Sequence, residues 1–69
     1  EEIQKYRMFY ARHRIIDRGF DIILETESEL QFYFNDELVR FFPFTGWHTG
    51  KSIKDGRGIN NLLKQLDKI

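Results

Sequence analysis

The sequence predicts a small single α+β domain in the order α-β-β-β-(β)-α, an antiparallel sheet with two helices on one face. Three observations lead there. Ile59, Leu62, Leu63, Leu66 and Ile69 recur at helical spacing as one apolar stripe at the C-terminus. Three short runs rich in β-branched and aromatic residues are separated by polar breaks. A chain of 69 residues has room for one domain and one core.

Residues 2–17 read as the first helix. Gly19 supplies the stop, and Arg18 is placed to complement the helix dipole. The apolar residues Ile3, Tyr6, Met8, Phe9, Tyr10, Ala11, Ile15 and Ile16 wrap much of this helix. It is therefore expected to touch something on more than one side: the sheet, a second copy, or a segment outside this chain.

Strands are expected at about 20–26, 30–35 and 37–44. Asn35-Asp36 suits a two-residue hairpin turn, because both residues tolerate positive φ. It sets Phe34 opposite Glu37, Phe32 opposite Val39 and Leu30 opposite Phe41. A three-residue loop at Glu27–Glu29 sets Leu24 opposite Phe32. One face then carries Phe20, Ile22, Leu24, Leu30, Phe32, Phe34, Val39 and Phe41, the expected core. The other carries Asp21, Ile23, Glu25, Gln31, Tyr33, Leu38, Arg40, Phe42 and Phe44. A slip of one residue exchanges the two sets. Pro43 fits near the end of an edge strand. A loop is expected at about 45–57, with a tight hairpin at Thr49-Gly50 and a short fourth strand within it. The last helix is expected at about 58–68, with Asp55 as N-cap and Gly56 to Gly58 in its first turn.

Seven Phe, three Tyr and one Trp are the means by which so short a chain builds a core. With no Cys, disulfides, thiol nucleophiles and Cys-based zinc sites are excluded. Formal net charge is zero but unevenly spread. Residues 1–18 carry five cations and three anions, 19–37 six anions and no cation, 38–69 six cations and two anions. Basic and acidic zones are expected, the plainer alternative being solvated charge and internal pairing. No apolar run is long enough for a transmembrane helix. The Glu-Glu start is not a secretory signal, and the missing initiator Met leaves room for an upstream segment. The expected setting is cytoplasmic, without a membrane.

The segment Phe44–Gly58 holds four of the five glycines, the only Trp, and Lys51, Lys54 and Arg57. A Gly-punctuated basic connection of this length in so small a domain reads as functional. Gly46 to Ser52 superficially resembles a phosphate-binding P-loop, but it has three residues between Gly46 and Gly50-Lys51 where the motif needs four. Gly56-Arg57-Gly58 is not a dinucleotide fingerprint, because Asn61 stands at the third Gly. What remains is an anion site: Lys51, Lys54 and Arg57, the backbone at Gly56 and Gly58, and Trp47 and His48 beside them. The plainer alternative is that the glycines shape a turn and a cap while the cations are solvated.

His48 and His13 are the only candidates for general-base work, and a nucleophile would have to be Ser28 or Ser52. Only Asp55 is at hand to orient a base near Ser52 and His48. Two His without a spaced carboxylate pair make a poor metal site. The expectation is a non-enzymatic protein with no cofactor and no metal.

The second sheet face is the other candidate surface, with Tyr33, Leu38, Arg40 and Phe42 named alongside Phe9 of the first helix as possible interface. Its leading reading is cover by the chain's own loop around Trp47. A protein partner comes next, then nucleic acid stacked on the aromatics.

The stretch from Phe42 to Leu66, with Phe-Pro-Phe-Thr-Gly-Trp-His-Thr-Gly-Lys and Asp-Gly-Arg-Gly-Ile-Asn-Asn-Leu-Leu-Lys-Gln-Leu, resembles small uncharacterised proteins of bacteriophages and other bacterial mobile elements. That family has no assigned activity, so the resemblance implies a setting in a bacterial host cytoplasm and transfers no site residue. The functional expectation is a nucleic-acid-binding accessory protein using the Gly-rich basic loop. The alternative is a protein-interaction module, such as an inhibitor of a host protein. Surplus apolar surface also predicts a homodimer.

Overall fold

The computed structural model describes the backbone of residues 2–67 and the side chains of residues 6–67. It contains α1 (Glu2–Asp17), β1 (Leu24–Glu25), β2 (Leu30–Phe34), β3 (Glu37–Phe42), β4 (Trp47–Gly50), β5 (Gly56–Arg57) and α2 (Ile59–Leu66). The strands form one five-stranded antiparallel sheet in chain order, so the fold is α+β. Lys68 of the expected last helix, Ile69 of its apolar stripe and the side chain of Ile3 lie outside the described residues. No helix among the described residues is long and apolar enough to cross a membrane.

The central hairpin follows from two residues. Asn35 and Asp36 both take positive φ, 54° and 66°, the backbone a two-residue hairpin turn requires. Phe34 then faces Glu37, Phe32 faces Val39 and Leu30 faces Phe41. Leu30, Phe32, Val39 and Phe41 are buried and meet Met8, Ala11 and Ile15 of α1 and Leu62, Leu63 and Leu66 of α2 in one cluster. Phe20 joins it, its ring centroid 5.7 Å from that of Phe32 and 5.6 Å from that of Phe34.

The first strand differs from expectation in length and in register. Only Leu24 and Glu25 pair, and Leu24 lies opposite Gln31, not Phe32. The Thr26 N–H donates to the Glu29 carbonyl at 2.9 Å, so the connection is one residue tighter than a Glu27–Glu29 loop. That single residue turns Leu24 outward, where it is 45% exposed. It turns Glu25 to the helix side of the sheet, where it stays exposed and both carboxylate oxygens accept from Arg12 Nη1 of α1 at 3.1 Å.

The β3–β4 connection is also displaced. β3 ends at Phe42, and residues 43–46 form the turn. The Gly46 N–H donates to the Phe42 carbonyl at 2.7 Å. Thr49 and Gly50, expected as the turn, belong to β4 and face Arg40 and Val39. Phe44, expected on the outer sheet face, leaves the sheet and packs partly buried against the core. Gly46 is obligatory on two counts: φ is +82°, and a Cβ there would lie 2.8 Å from the Gly58 nitrogen. Gly56 and Arg57 form β5, a strand the sequence reading lacks, in place of a first helical turn. The N-cap of α2 is Gly58 with no side-chain cap, not Asp55.

Arginines tie α1 to the rest of the domain. Arg7 Nη1 donates to the Phe44 carbonyl at 3.0 Å. Arg18 makes a two-pronged pair with Asp67 at 2.7 and 3.1 Å, beside the Arg12–Glu25 pair. Much of the basic charge of this helix is thus engaged in docking it. Its outer side stays apolar: Tyr6, Phe9, Tyr10 and Ile16 are all exposed.

Candidate nucleic-acid interface

Strand pairing assembles the outer face in rows. Phe42, Trp47 and Arg57 stand side by side on β3, β4 and β5; Gln31, Arg40 and Thr49 form the next row, and Tyr33 and Leu38 the one beyond. Tyr33 is 55% and Trp47 38% exposed, while Leu38 and Phe42 are half-buried. Ser28, Phe42, Phe44, Thr45, Trp47 and Arg57 line a hollow of about 420 Å³ at one end of this face. The expected cover by a loop around Trp47 does not occur. Trp47 is itself a strand residue of the face, and the four-residue turn before it leaves no slack to fold across.

Arg40 is paired on the face. Its Nε donates to Glu29 Oε2, which also accepts from Gln31 Nε2 at 2.8 Å. Its guanidinium carbon lies 5.4 Å from the Phe42 ring centroid. Glu29 is buried. The hydrogen bond from Arg40 outweighs that burial and holds the Glu29 carboxyl below the usual carboxylate range. Asp67 is lowered in the same way by its hydrogen bonds from Arg18.

These two acids set a pH dependence with a definite sign. Their folded values lie below the unfolded ones of about 4. The stability they contribute is therefore fully present above pH of about 4 and is lost as pH falls through the folded values. Thermal melts of the unmodified protein are expected to fall on acidification below about pH 4, and Glu29→Gln to flatten that limb. Identical acid limbs in the two proteins would refute the role assigned to Glu29.

The residues expected to share one anion site separate into three places. Trp47 and Arg57 join Tyr33, Leu38, Arg40 and Phe42 on the outer face. Lys51 and Lys54, in the β4–β5 connection, line a cleft against α2. His48 goes inward and is fully buried. Its Nδ1 lies 3.2 Å from the Gly46 carbonyl, its Nε2 3.3 Å from Asn61 Oδ1, and its ring centroid 6.1 Å from that of Phe41. His48 lies opposite Phe41, so the alternation that sends Trp47 outward sends His48 into the core. It is not placed to meet an anion. Nor do Gly56 and Gly58 form a cradle. Gly56 pairs with His48, and the Gly58 N–H donates to the Gly46 carbonyl at 2.9 Å. Phe9, on α1, is far round the molecule from the outer face, because α1 packs on the inner one.

Ser52 Oγ donates to the Phe34 carbonyl at 2.8 Å, and His48 is turned to Asn61. Among the described residues no group of three His, Asp or Glu side chains is gathered to hold a metal ion. Sequence reasoning missed Glu29 as the anchor of Arg40. That pair forms only once the β2–β3 hairpin brings Arg40 alongside Gln31 and its neighbour Glu29.

The chain is thus a small α+β domain whose five-stranded meander buries one face under helices and presents aromatic and basic side chains on the other. Comparison with family models, curated proteins and solved structures finds no match for the chain.

Proposed function

We propose that the protein is a non-enzymatic accessory protein that binds unpaired nucleic acid on its outer sheet face. One observation carries the reading: Tyr33, Phe42 and Trp47 lie on a single uncovered face with Arg40 and Arg57 among them. Unpaired bases stack on aromatic rings regardless of sequence, and the Arg57 guanidinium beside Trp47, outside the ion pairs of the described residues, neutralises the backbone. An open sheet face three rows deep suits a strand with splayed bases better than a duplex, whose bases are stacked inside. The mobile-element setting is part of the proposal and rests on the resemblance of residues 42–66 alone. Trp47 is the only tryptophan, so its fluorescence reports directly on the face. Titration with single-stranded DNA and RNA at low salt is expected to quench it, and added salt to reverse the quench. No quenching and no filter retention by either would refute the reading.

The outer side of α1 supports a second surface, for another protein chain. Tyr6, Phe9, Tyr10, His13 and Ile16 follow helical spacing opposite the buried Met8, Ala11 and Ile15. The Tyr6 and Tyr10 ring centroids are 6.2 Å apart, those of Phe9 and His13 4.2 Å. We read this stripe as a self-association surface. Sedimentation equilibrium is expected to show a dimer at micromolar concentration, and Phe9→Glu, at a position 51% exposed, to give a folded monomer. A clean monomer for the unmodified chain at high micromolar concentration would overturn the dimer and leave the stripe to a different protein.

A further inference from the structure

A cleft of about 730 Å³ lies between the β2–β3 turn, the β4–β5 connection and α2. Three lysines from two separate segments line it: Lys51, Lys54 and Lys64. All three are exposed. The ion pairs among the described residues use Arg12, Arg18 and Arg40, and none uses these lysines. Asp55 is the one acid on the wall, so the cleft carries an excess of cations in a chain of zero net charge.

The cleft is built rather than incidental. Gln65 of α2 grips the backbone of Lys54 from both sides: its Oε1 accepts from the Lys54 N–H at 2.7 Å, and its Nε2 donates to the Lys54 carbonyl at 3.0 Å. The same Nε2 lies 2.9 Å from Asn61 Oδ1. Ser52 anchors the other end of the connection to β2 through the Phe34 carbonyl. The loop is thus fastened to both walls while its lysine side chains remain outside these bonds. The cleft is also continuous with the outer face. Lys51 and Asp55 line both the cleft and a shallower hollow of about 600 Å³ that contains Leu38, Arg40 and Thr49.

We infer that this cleft is a phosphate site, and that it takes the phosphodiester backbone of the strand whose bases stack on the sheet face. The inference rests on the function proposed above and extends it. Bases bind at Tyr33, Phe42 and Trp47, and the backbone passes Arg40 and Lys51 into the cleft, where Lys54 and Lys64 neutralise it. Lysine suits this task as a mobile point charge that follows a flexible backbone. A longer strand is therefore held by more phosphate contacts than a short one, and the excess is lost with the lysines.

The test compares strands of roughly four and roughly twelve nucleotides, within the range covered by small single-strand binding domains. Trp47 quenching is measured across a salt series for the unmodified protein and for the triple variant Lys51→Ala, Lys54→Ala, Lys64→Ala. Gln65 holds the backbone of Lys54, not its side chain, so the variant should fold, and circular dichroism verifies that. For the long strand the slope of log affinity against log salt is expected to become shallower by about 0.7 per lost contact, about 2 in total. The short strand should bind both proteins alike. Asp55→Asn should raise long-strand affinity about two- to fivefold at low salt. An unchanged long-strand slope in the triple variant, with quenching intact, overturns the cleft and leaves the sheet-face reading standing. No quenching by any strand overturns both. Titration with inorganic pyrophosphate, followed on the side-chain amides of Asn61 and Gln65, separates the sources. Amide shifts with pyrophosphate alongside an unchanged strand slope would make the ligand a free anion and refute the strand assignment.

Discussion

Leu62→Ala is expected to cost roughly 2–5 kcal/mol of stability, the range for removing a fully buried leucine side chain with incomplete collapse around the cavity. Leu62 is 0% exposed and sits in the one cluster that joins both helices to the sheet. No second core exists among the described residues to take up the loss. A domain of 69 residues has a total stability of roughly 3–10 kcal/mol, so this one substitution approaches the whole of it. Lys64→Ala, two residues on and exposed to the cleft, should leave the melting temperature almost unchanged. Thermal melts of the two variants beside the unmodified protein decide the matter. Equal, small shifts would mean that α2 is not packed through this stripe.

Truncating the stacking residues should leave the fold and remove the binding. Base–aromatic stacking is worth about 1–3 kcal/mol per base, roughly a five- to 150-fold loss of affinity for each ring removed. Tyr33→Ala and Trp47→Ala are the informative pair, since both side chains are exposed. The double variant should lose affinity roughly as the product of the two, because the residues stand in different rows and on different strands. Binding of the Trp47 variant is read by fluorescence anisotropy of a labelled strand. Phe41→Ala is the contrasting substitution. It is one residue from Phe42 on the same strand but 1% exposed, and it should cost roughly 3–5 kcal/mol of stability. If Tyr33→Ala and Trp47→Ala bind strands as well as the unmodified protein does, the sheet face is not the site.

Much of this surface was legible in the residues. The Asn35-Asp36 turn and the alternation on either side of it correctly put Tyr33, Leu38, Arg40 and Phe42 on one face and Leu30, Phe32, Val39 and Phe41 on the other. Spacing alone placed Leu62, Leu63 and Leu66 on the buried side of α2. These assignments succeed because they are local: a two-residue turn leaves one register, and a helix has one period.

What went astray lies in two turns whose residues do not fix one length or place, and in contacts between segments that no local pattern encodes. Trp47 and His48 are neighbours in a Gly-rich stretch and read alike as parts of a basic loop. The hairpin closing at Gly46, not at Thr49-Gly50, makes them strand residues on opposite faces. The first becomes part of an exposed platform and the second part of the core. Leu24 and Glu25 exchange faces because a turn is one residue tighter than composition implied. Lys51 and Lys54 were visible as cations, but their meeting with Lys64 is created by Gln65 gripping the Lys54 backbone across eleven residues. Hydrophobic period, and a turn such as Asn35-Asp36 in which both residues accept positive φ, are properties of adjacent residues, and so they can be read from the chain. Where those hairpins close and which segments share a cleft follow from the least costly way to bury one small core, a choice in which all the elements take part at once.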